Sequence, residues 1–309
     1  MAAKVLTVCY PCAIKKSEAI KSLEEKEILM PSYKTVDGIS IHYKDEGDGD
    51  KELTLLCIHG GFGNLSHWQS LVGEFSDTHR IVRMDLRGHG DSDVPDLGYS
   101  IIQYADDVAE LAHYLGIRQA VVLGHSMGAV ITIALSQRHP DIAGALVWVD
   151  NPMYSWEGVR SVLGPALYLI EQPSYPECMQ LIYGACFHET ADQSLVQKTV
   201  EGAMRTPQRV AIADVNAMLS FDALAAAKEL KLPILIVRCG GHVPDDSGVS
   251  GSVQWIHKNL PQVQYAQVVG AGHFLMLEVP DQFHPMLKRF VAQPMAKSGE
   301  VVISQTNHG

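Results

Sequence analysis

Six short apolar runs punctuate the chain: Leu53–Ile58, Ile81–Met84, Ala120–Leu123, Ala143–Val149, Pro233–Val237 and Val263–Val269. Each is nearly continuous rather than alternating, the pattern of a strand covered on both faces, as in a parallel sheet flanked by helices. Between them lie stretches with helical spacing, notably Ile101–Leu115 and Met127–Arg138. The second is closed by His139–Pro140, because a residue before Pro is pushed out of the helical region. Strands alternating with helices predict an α/β fold with a doubly wound, mostly parallel sheet. Ahead of them, Tyr33–Val36 and Ile39–Tyr43 flank Asp37–Gly38 and predict a β-hairpin.

The interval from Asn151 to about Lys231 breaks this rhythm, with Ala, Leu and Met at helical spacing and no comparable apolar run. It predicts a helical lid inserted over the carboxyl ends of the strands. The expected organisation is an N-terminal extension at 1–30, a core of 31–150 and 232–293, the lid at 151–231 and a disordered tail at 294–309, rich in Ser, Gly, Gln and Asn. With 47% of 309 residues hydrophobic, the chain can bury one sizeable core.

Charge narrows the partners. Against 35 acidic residues there are 24 Lys and Arg, for a net charge of -11, and no basic run could follow a phosphate backbone, so nucleic acid is excluded as a partner. The mildly apolar stretch before Lys15–Lys16 is too short and interrupted for a secretory signal or a membrane span. Scattered cysteines (Cys9, Cys12, Cys57, Cys178, Cys186 and Cys239) suit a reducing compartment, so a cytoplasmic protein without a membrane partner is expected. Cys9-Tyr-Pro-Cys12 has the spacing of a redox or zinc pair but no second pair follows, and neither a metal nor a cofactor is expected.

Chemistry enters at Gly124-His-Ser126-Met-Gly128, directly after one strand run and directly before a helix. A nucleophile on so sharp a turn needs small residues two positions to either side, and the turn sets its hydroxyl at a helix N-terminus that favours developing negative charge. A hydroxyl needs a base. Of 14 histidines, His273 in Gly270-Ala-Gly-His273 follows the last strand run, on the same edge of the sheet as Ser126. His59-Gly-Gly-Phe-Gly63 follows the strand ending at Ile58, where the N–H groups of Gly61 and Met127 would receive an oxyanion. Phe62 would add a second amide or wall the pocket, and His59 would tie the loop down.

Together with Asp85-Leu-Arg-Gly-His-Gly-Asp-Ser92, these motifs resemble the α/β-hydrolase superfamily in order and placement, over about Tyr33 to Val291. The resemblance implies a serine hydrolase and makes the Asp85–Ser92 stretch a structural turn. It leaves the acid of the triad open. In many members the acid follows the strand corresponding to Pro233–Val237, but that position is His242 in this chain. Asp245 or Asp246 could serve from a longer loop; Asp150, closing Ala143–Val149, stands where a subset including some lactonases and dehalogenases places its acid. Asp150 is preferred, since a carboxylate at a strand end is rigidly held.

Tyr168, Tyr175, Tyr183 and Phe187 would give the lid an apolar underside, and Trp156, close behind Asp150, is with Phe62 the candidate substrate contact. The expected reaction is hydrolysis of a carboxylic ester, lactone or thioester of a largely apolar small molecule through an acyl-enzyme on Ser126. Three rivals stand beside it: a carbon-carbon bond hydrolase, a peptidase like proline iminopeptidase whose Glu157, Glu171 or Glu177 would hold an amine, and a ligand-binding receptor on the same fold. Ser at position 126 excludes the carboxylate nucleophile of epoxide hydrolases and haloalkane dehalogenases.

Overall fold

All six apolar runs become strands of one sheet. The computed structural model describes residues 31–47, 50–151, 156–239 and 253–293. The expectations placed on 1–30, on 294–309, on Cys9 and Cys12, on His242, and on Asp245 and Asp246 lie outside the described residues, as does the side chain of Trp156. The strands are β1 (Ser32–Lys34), β2 (Ser40–Glu46), β3 (Asp50–Ile58), β4 (His79–Met84), β5 (Ala120–His125), β6 (Ala143–Val149), β7 (Ile234–Cys239) and β8 (Val263–Val268). Their order across the sheet is β1-β2-β4-β3-β5-β6-β7-β8. β1 with β2 and β2 with β4 pair antiparallel, and all other neighbours are parallel.

The two faces of the sheet follow the period-2 alternation of the strands. Leu56, Ile58, Val122, Leu146, Trp148 and Ile236 pack into one apolar cluster, while Leu55, Cys57, Val121, Leu123, Val147 and Val237 pack into a second on the opposite face. Both faces are dry, which is why the sequence shows continuous apolar runs. Burying each such side chain contributes about 1.5–3 kcal/mol before entropy is counted. Cys57 and Cys239, the two cysteines inside strand runs, are buried thiols.

In the hairpin, β1 ends two residues earlier and β2 starts one residue later than the sequence suggests. Thr35 leaves β1 because its hydroxyl bonds Asp37 Oδ1 (2.5 Å) and its N–H reaches Ile39 O (2.9 Å), closing the turn around Asp37–Gly38. Gly38 takes φ +85°, which L side chains rarely adopt.

Strand order reverses between β3 and β5, since the chain leaves β3 for β4 on one side and returns to β5 on the other. In open α/β sheets the crevice at such a switch point is where ligands bind. Register aligns the carboxyl ends there: Ile58 pairs Gly124, His125 pairs Val149, and Val149 pairs Val237. The loops that follow β3, β5 and β6 therefore open on one edge.

Between β6 and β7 the described residues are helical: Trp156–Ile170, Tyr175–Gly184, Gln193–Met204, Gln208–Ser220 and Ala223–Lys228. Asp192 and Asp222 cap two of these helices by accepting from Leu195 N (2.9 Å) and Ala225 N (3.0 Å). Ile170, Met179, Tyr183, Val200 and Val215 from these helices share the apolar cluster that contains Leu55 and Leu123. No helix among the described residues is long and apolar enough to cross a membrane.

Candidate active site

Ser126 sits between β5 and helix Met127–Arg138 at φ +51° and ψ -115°, a strained conformation for a residue with a Cβ. The motif's glycines make the turn possible. A Cβ on Gly124 would stand 2.4 Å from the Gly128 carbonyl carbon, and one on Gly128 would stand 2.4 Å from Ile58 O. Ser126 donates its N–H to Val149 O (3.0 Å), and its carbonyl accepts from Ala129 N (3.0 Å) and Asn151 Nδ2 (2.9 Å). Although Ser126 occupies the N-cap position, its hydroxyl makes no capping bond, so it is not engaged by its own helix.

His273 follows β8, and its Nδ1 lies 2.6 Å from Asp150 Oδ2. Asp150 ends β6 at φ +46°, gives its N–H to Val237 O (2.8 Å), and accepts Cys239 N on its second oxygen (3.2 Å). Burial alone pushes this carboxyl up. The hydrogen bond and charge of His273, the Cys239 N–H and the Arg238 guanidinium outweigh that and bring it down to about 2. An ionised acceptor at Nδ1 requires that nitrogen to be protonated, which leaves Nε2 with the lone pair a base needs.

The residue before Ser126 ties these loops together. His125 Nε2 lies 2.9 Å from His273 O, and the two imidazole rings have centroids 4.5 Å apart. Burial, reinforced by the charge of His273, drives the His125 imidazole well down, so it stays neutral beside its neighbour. From the other side His273 N–H donates to Cys186 O (2.6 Å), and Glu278 accepts both Gly272 N (3.0 Å) and His188 N (2.8 Å).

After β3, His59 turns the chain with Nδ1 2.7 Å from Gly60 O while Nε2 accepts Leu86 N (3.0 Å). Burial, aided by the charge of His89, holds this imidazole down at about 3, which fits a neutral ring acting as a strut. The loop passes close to the elbow: a Cβ on Gly60 would stand 3.1 Å from Ser126 Cβ, and one on Gly61 would stand 3.8 Å from Met127 Sδ. Among the described residues, the N–H groups of Gly61 and Met127 meet no acceptor. Phe62 differs. Its N–H faces Asp214 Oδ2 at 3.4 Å, its φ is +62°, and its ring is buried against Tyr183 with centroids 6.0 Å apart. Its amide is therefore turned to Asp214 and away from the role of second donor.

Behind the loop, Asp85 accepts Leu65 N (2.7 Å), Asp91 N (3.0 Å) and His42 Nδ1 (2.9 Å). Asp85 to Ser92 is thus a brace between β2 and the loop after β3. His42, Asp85 and Asp91 are the group among the described residues whose ligand atoms could converge on a metal. The hydrogen bonds already made by both Asp85 oxygens give the cluster a structural role.

Sequence reasoning passed over Asp214, Asn151, His125 and Glu278. Asp214 alone left a readable signal: it falls on the stripe Val210, Ala211, Val215, Ala217 of helix Gln208–Ser220, an acid where the helix is otherwise apolar and buried. The structure gives it Tyr104 Oη at 2.5 Å and His89 Nε2 at 2.9 Å. Burial by itself lowers the His89 imidazole, but the charge and hydrogen bond of Asp214, with the Arg87 carbonyl, raise it.

Residues 55–285 match the alpha/beta hydrolase family over most of the described core. The chain belongs to the alpha/beta hydrolase family. This hydrolase is 26% identical over 247 residues to 2-(acetamidomethylene)succinate hydrolase of Mesorhizobium japonicum, covering 77% of this chain and 86% of that protein. The enol-lactonase of Burkholderia xenovorans LB400 superposes with a TM-score of 0.74 at 22% identity, covering 85% of this chain and 100% of that one. An esterase of Exiguobacterium antarcticum does so with a TM-score of 0.72 at 18% identity, over 85% of this chain and 99% of that one. At these identities the two structures speak for the fold.

Proposed function

We propose that this hydrolase cleaves a carboxylic ester, lactone or thioester of a largely apolar small molecule through an acyl-enzyme on Ser126, with His273 as base and Asp150 as its orienting acid. The observation that carries this reading is the 2.6 Å contact between His273 Nδ1 and an ionised Asp150, which fixes the tautomer, next to a strained Ser126 whose hydroxyl caps nothing. His273 Nε2 takes the Ser126 proton as Oγ adds to the substrate carbonyl. The N–H groups of Gly61 and Met127 receive the oxyanion. His273 then returns the proton to the leaving group, and water, activated by the same nitrogen, releases the acid and frees Ser126.

In this reading residues 151–231 act as a lid over the strand ends, with Phe62 and Trp156 against the substrate. The relative in Mesorhizobium is named for a substrate with an acetamido group, and an N-acyl carbonyl is polarised by the same pair of donors. Against the aminopeptidase reading, Glu171 and Glu177 are exposed to solvent; the side chain of Glu157 lies outside the described residues.

A panel of p-nitrophenyl esters, lactones, acyl-thioesters, N-acyl compounds and amino-acid anilides tests the assignment at steady state. Turnover of esters or lactones that disappears in Ser126→Ala is the expected result. Turnover confined to the anilides would move the protein to the peptidases. Tight saturable binding without turnover on any of them would make it a receptor.

A further inference from the structure

The peptide that carries the Gly61 N–H is held from within its own loop, where the Gly60 carbonyl meets His59 Nδ1 (2.7 Å) and accepts Gly63 N (3.1 Å), but the next peptide, Gly61–Phe62, has no such local support. Gly60 and Gly61 contribute no side chains, and Phe62 stands at φ +62°, a conformation an aromatic residue leaves unless its surroundings impose it. Those surroundings come from more than 100 residues away. The Gly61 carbonyl accepts Tyr183 Oη at 2.5 Å (a sequence separation of 122), and the N–H of the same peptide unit faces Asp214 Oδ2 at 3.4 Å (a separation of 152). Thr206 Oγ1 holds the next carbonyl, that of Phe62, at 3.2 Å. A peptide unit is rigid, so gripping both its oxygen and its N–H fixes the plane. Both grips are themselves fixed. Tyr183 is 5% exposed and Asp214 0%, and Asp214 is aimed by Tyr104 Oη on one oxygen and His89 Nε2 on the other.

We propose that Tyr183 and Asp214 are positioning residues which lock the Gly61–Phe62 peptide from both sides and, with His59 and Gly63 holding the preceding Gly60 carbonyl, fix the Gly61 N–H between two held peptides, ready for an oxyanion. The helical segment between β6 and β7 is then part of the catalytic apparatus rather than only a cover. This rests on the reading of Ser126 as nucleophile. Because the grip on the Gly61–Phe62 peptide comes from outside the loop, catalysis depends on how this segment is seated, while the shape of the substrate pocket need not change.

The test is the rate at which a fluorophosphonate labels Ser126. Oγ bonds to phosphorus, fluoride leaves, the proton goes to His273, and the charge developing on the phosphoryl oxygen falls between the Gly61 and Met127 N–H groups. Wild type, Tyr183→Phe, Asp214→Asn, the double variant and Ser126→Ala are compared, with melting curves and, for p-nitrophenyl butyrate, kcat and KM. Loss of a whole oxyanion donor costs about 100- to 1,000-fold, so a misaimed one in Tyr183→Phe is expected to slow labelling fivefold or more. The loss should appear in kcat, with KM within twofold. The double variant should be no slower than the slower single, because both changes release one peptide. Folded Tyr183→Phe that labels less than fivefold slower, a loss confined to KM, or single effects that multiply in the double would each overturn the lock. Should Asp214→Asn fail to fold, Tyr183→Phe decides alone. Labelling of Ser126→Ala at the wild-type rate, or none in wild type, would instead defeat the nucleophile reading and the lock with it.

Discussion

Two loops face each other across the switch point of the sheet, and backbone dominates the support of one where side chains dominate that of the other. The elbow at Gly124–Gly128 is braced by backbone: glycine against glycine, Gly128 against Ile58 O and His59 O, and Ser126 N–H on Val149 O. The Gly60–Gly63 loop is braced by side chains, from Tyr183, Thr206 and Asp214 above and His59 and His67 below. Both contain a non-glycine residue at positive φ, Ser126 and Phe62. The elbow is braced without the helices between β6 and β7, whereas the second loop takes three of its contacts from the segment that carries them. On the proposed reading, the nucleophile would stay fixed while the donor to its oxyanion is positioned by a separate segment.

The largest effect is expected at the backbone-held edge: Asp150→Asn should lower kcat by roughly 1,000-fold or more, since it presents the wrong tautomer of His273. Full activity in that variant would hand the acid's role to Asp245 or Asp246. Gly128→Ala should destabilise by about 3 kcal/mol, because its Cβ would meet Ile58 O at 2.4 Å and His59 O at 2.6 Å, both backbone atoms that cannot swing aside. Urea unfolding measures it.

Beneath the side-chain-held loop, burial lowers the His67 imidazole to about 4, against an ordinary 6.5. The unfolded chain binds the proton first, so the stability from keeping this ring neutral is present above pH 6.5 and lost as pH falls to about 4, worth about 3 kcal/mol at most. His67→Phe should show a shallower fall of stability over that window, and an unchanged slope would reject the assignment. The smallest effect belongs to Gly61→Ala. Its Cβ would find nothing nearer than Asp214 Oδ2 at 3.7 Å, so stability should move by less than about 1 kcal/mol. A loss as large as that of Gly128→Ala would erase the distinction between the loops.

What was legible in the sequence divides along the same line. Strand runs, their alternation with helices, and the elbow are local patterns, and each expected run overlaps the strand or helix found. Asp150 was readable because a carboxylate at a strand end needs only the strand to place it, and it is the residue found on His273 Nδ1. Tyr183 was visible only as one aromatic of a helical segment, and Thr206 not at all. Their partners are backbone atoms of a loop far earlier in the chain, and no spacing rule links a side chain to a distant peptide. Asp214 offered the one clue, a charge in an apolar stripe. Phe62 offered the opposite lesson, since an amide in the right motif was already turned to Asp214.

The proposed function rests on Ser126 as nucleophile, activated by His273 and Asp150. Peptide mapping by mass spectrometry after exposure to a fluorophosphonate addresses it directly. The account predicts a single phosphonylated peptide, modified at Ser126 and absent from Ser126→Ala; modification of Ser126→Ala, or of another residue in the wild type, would contradict it.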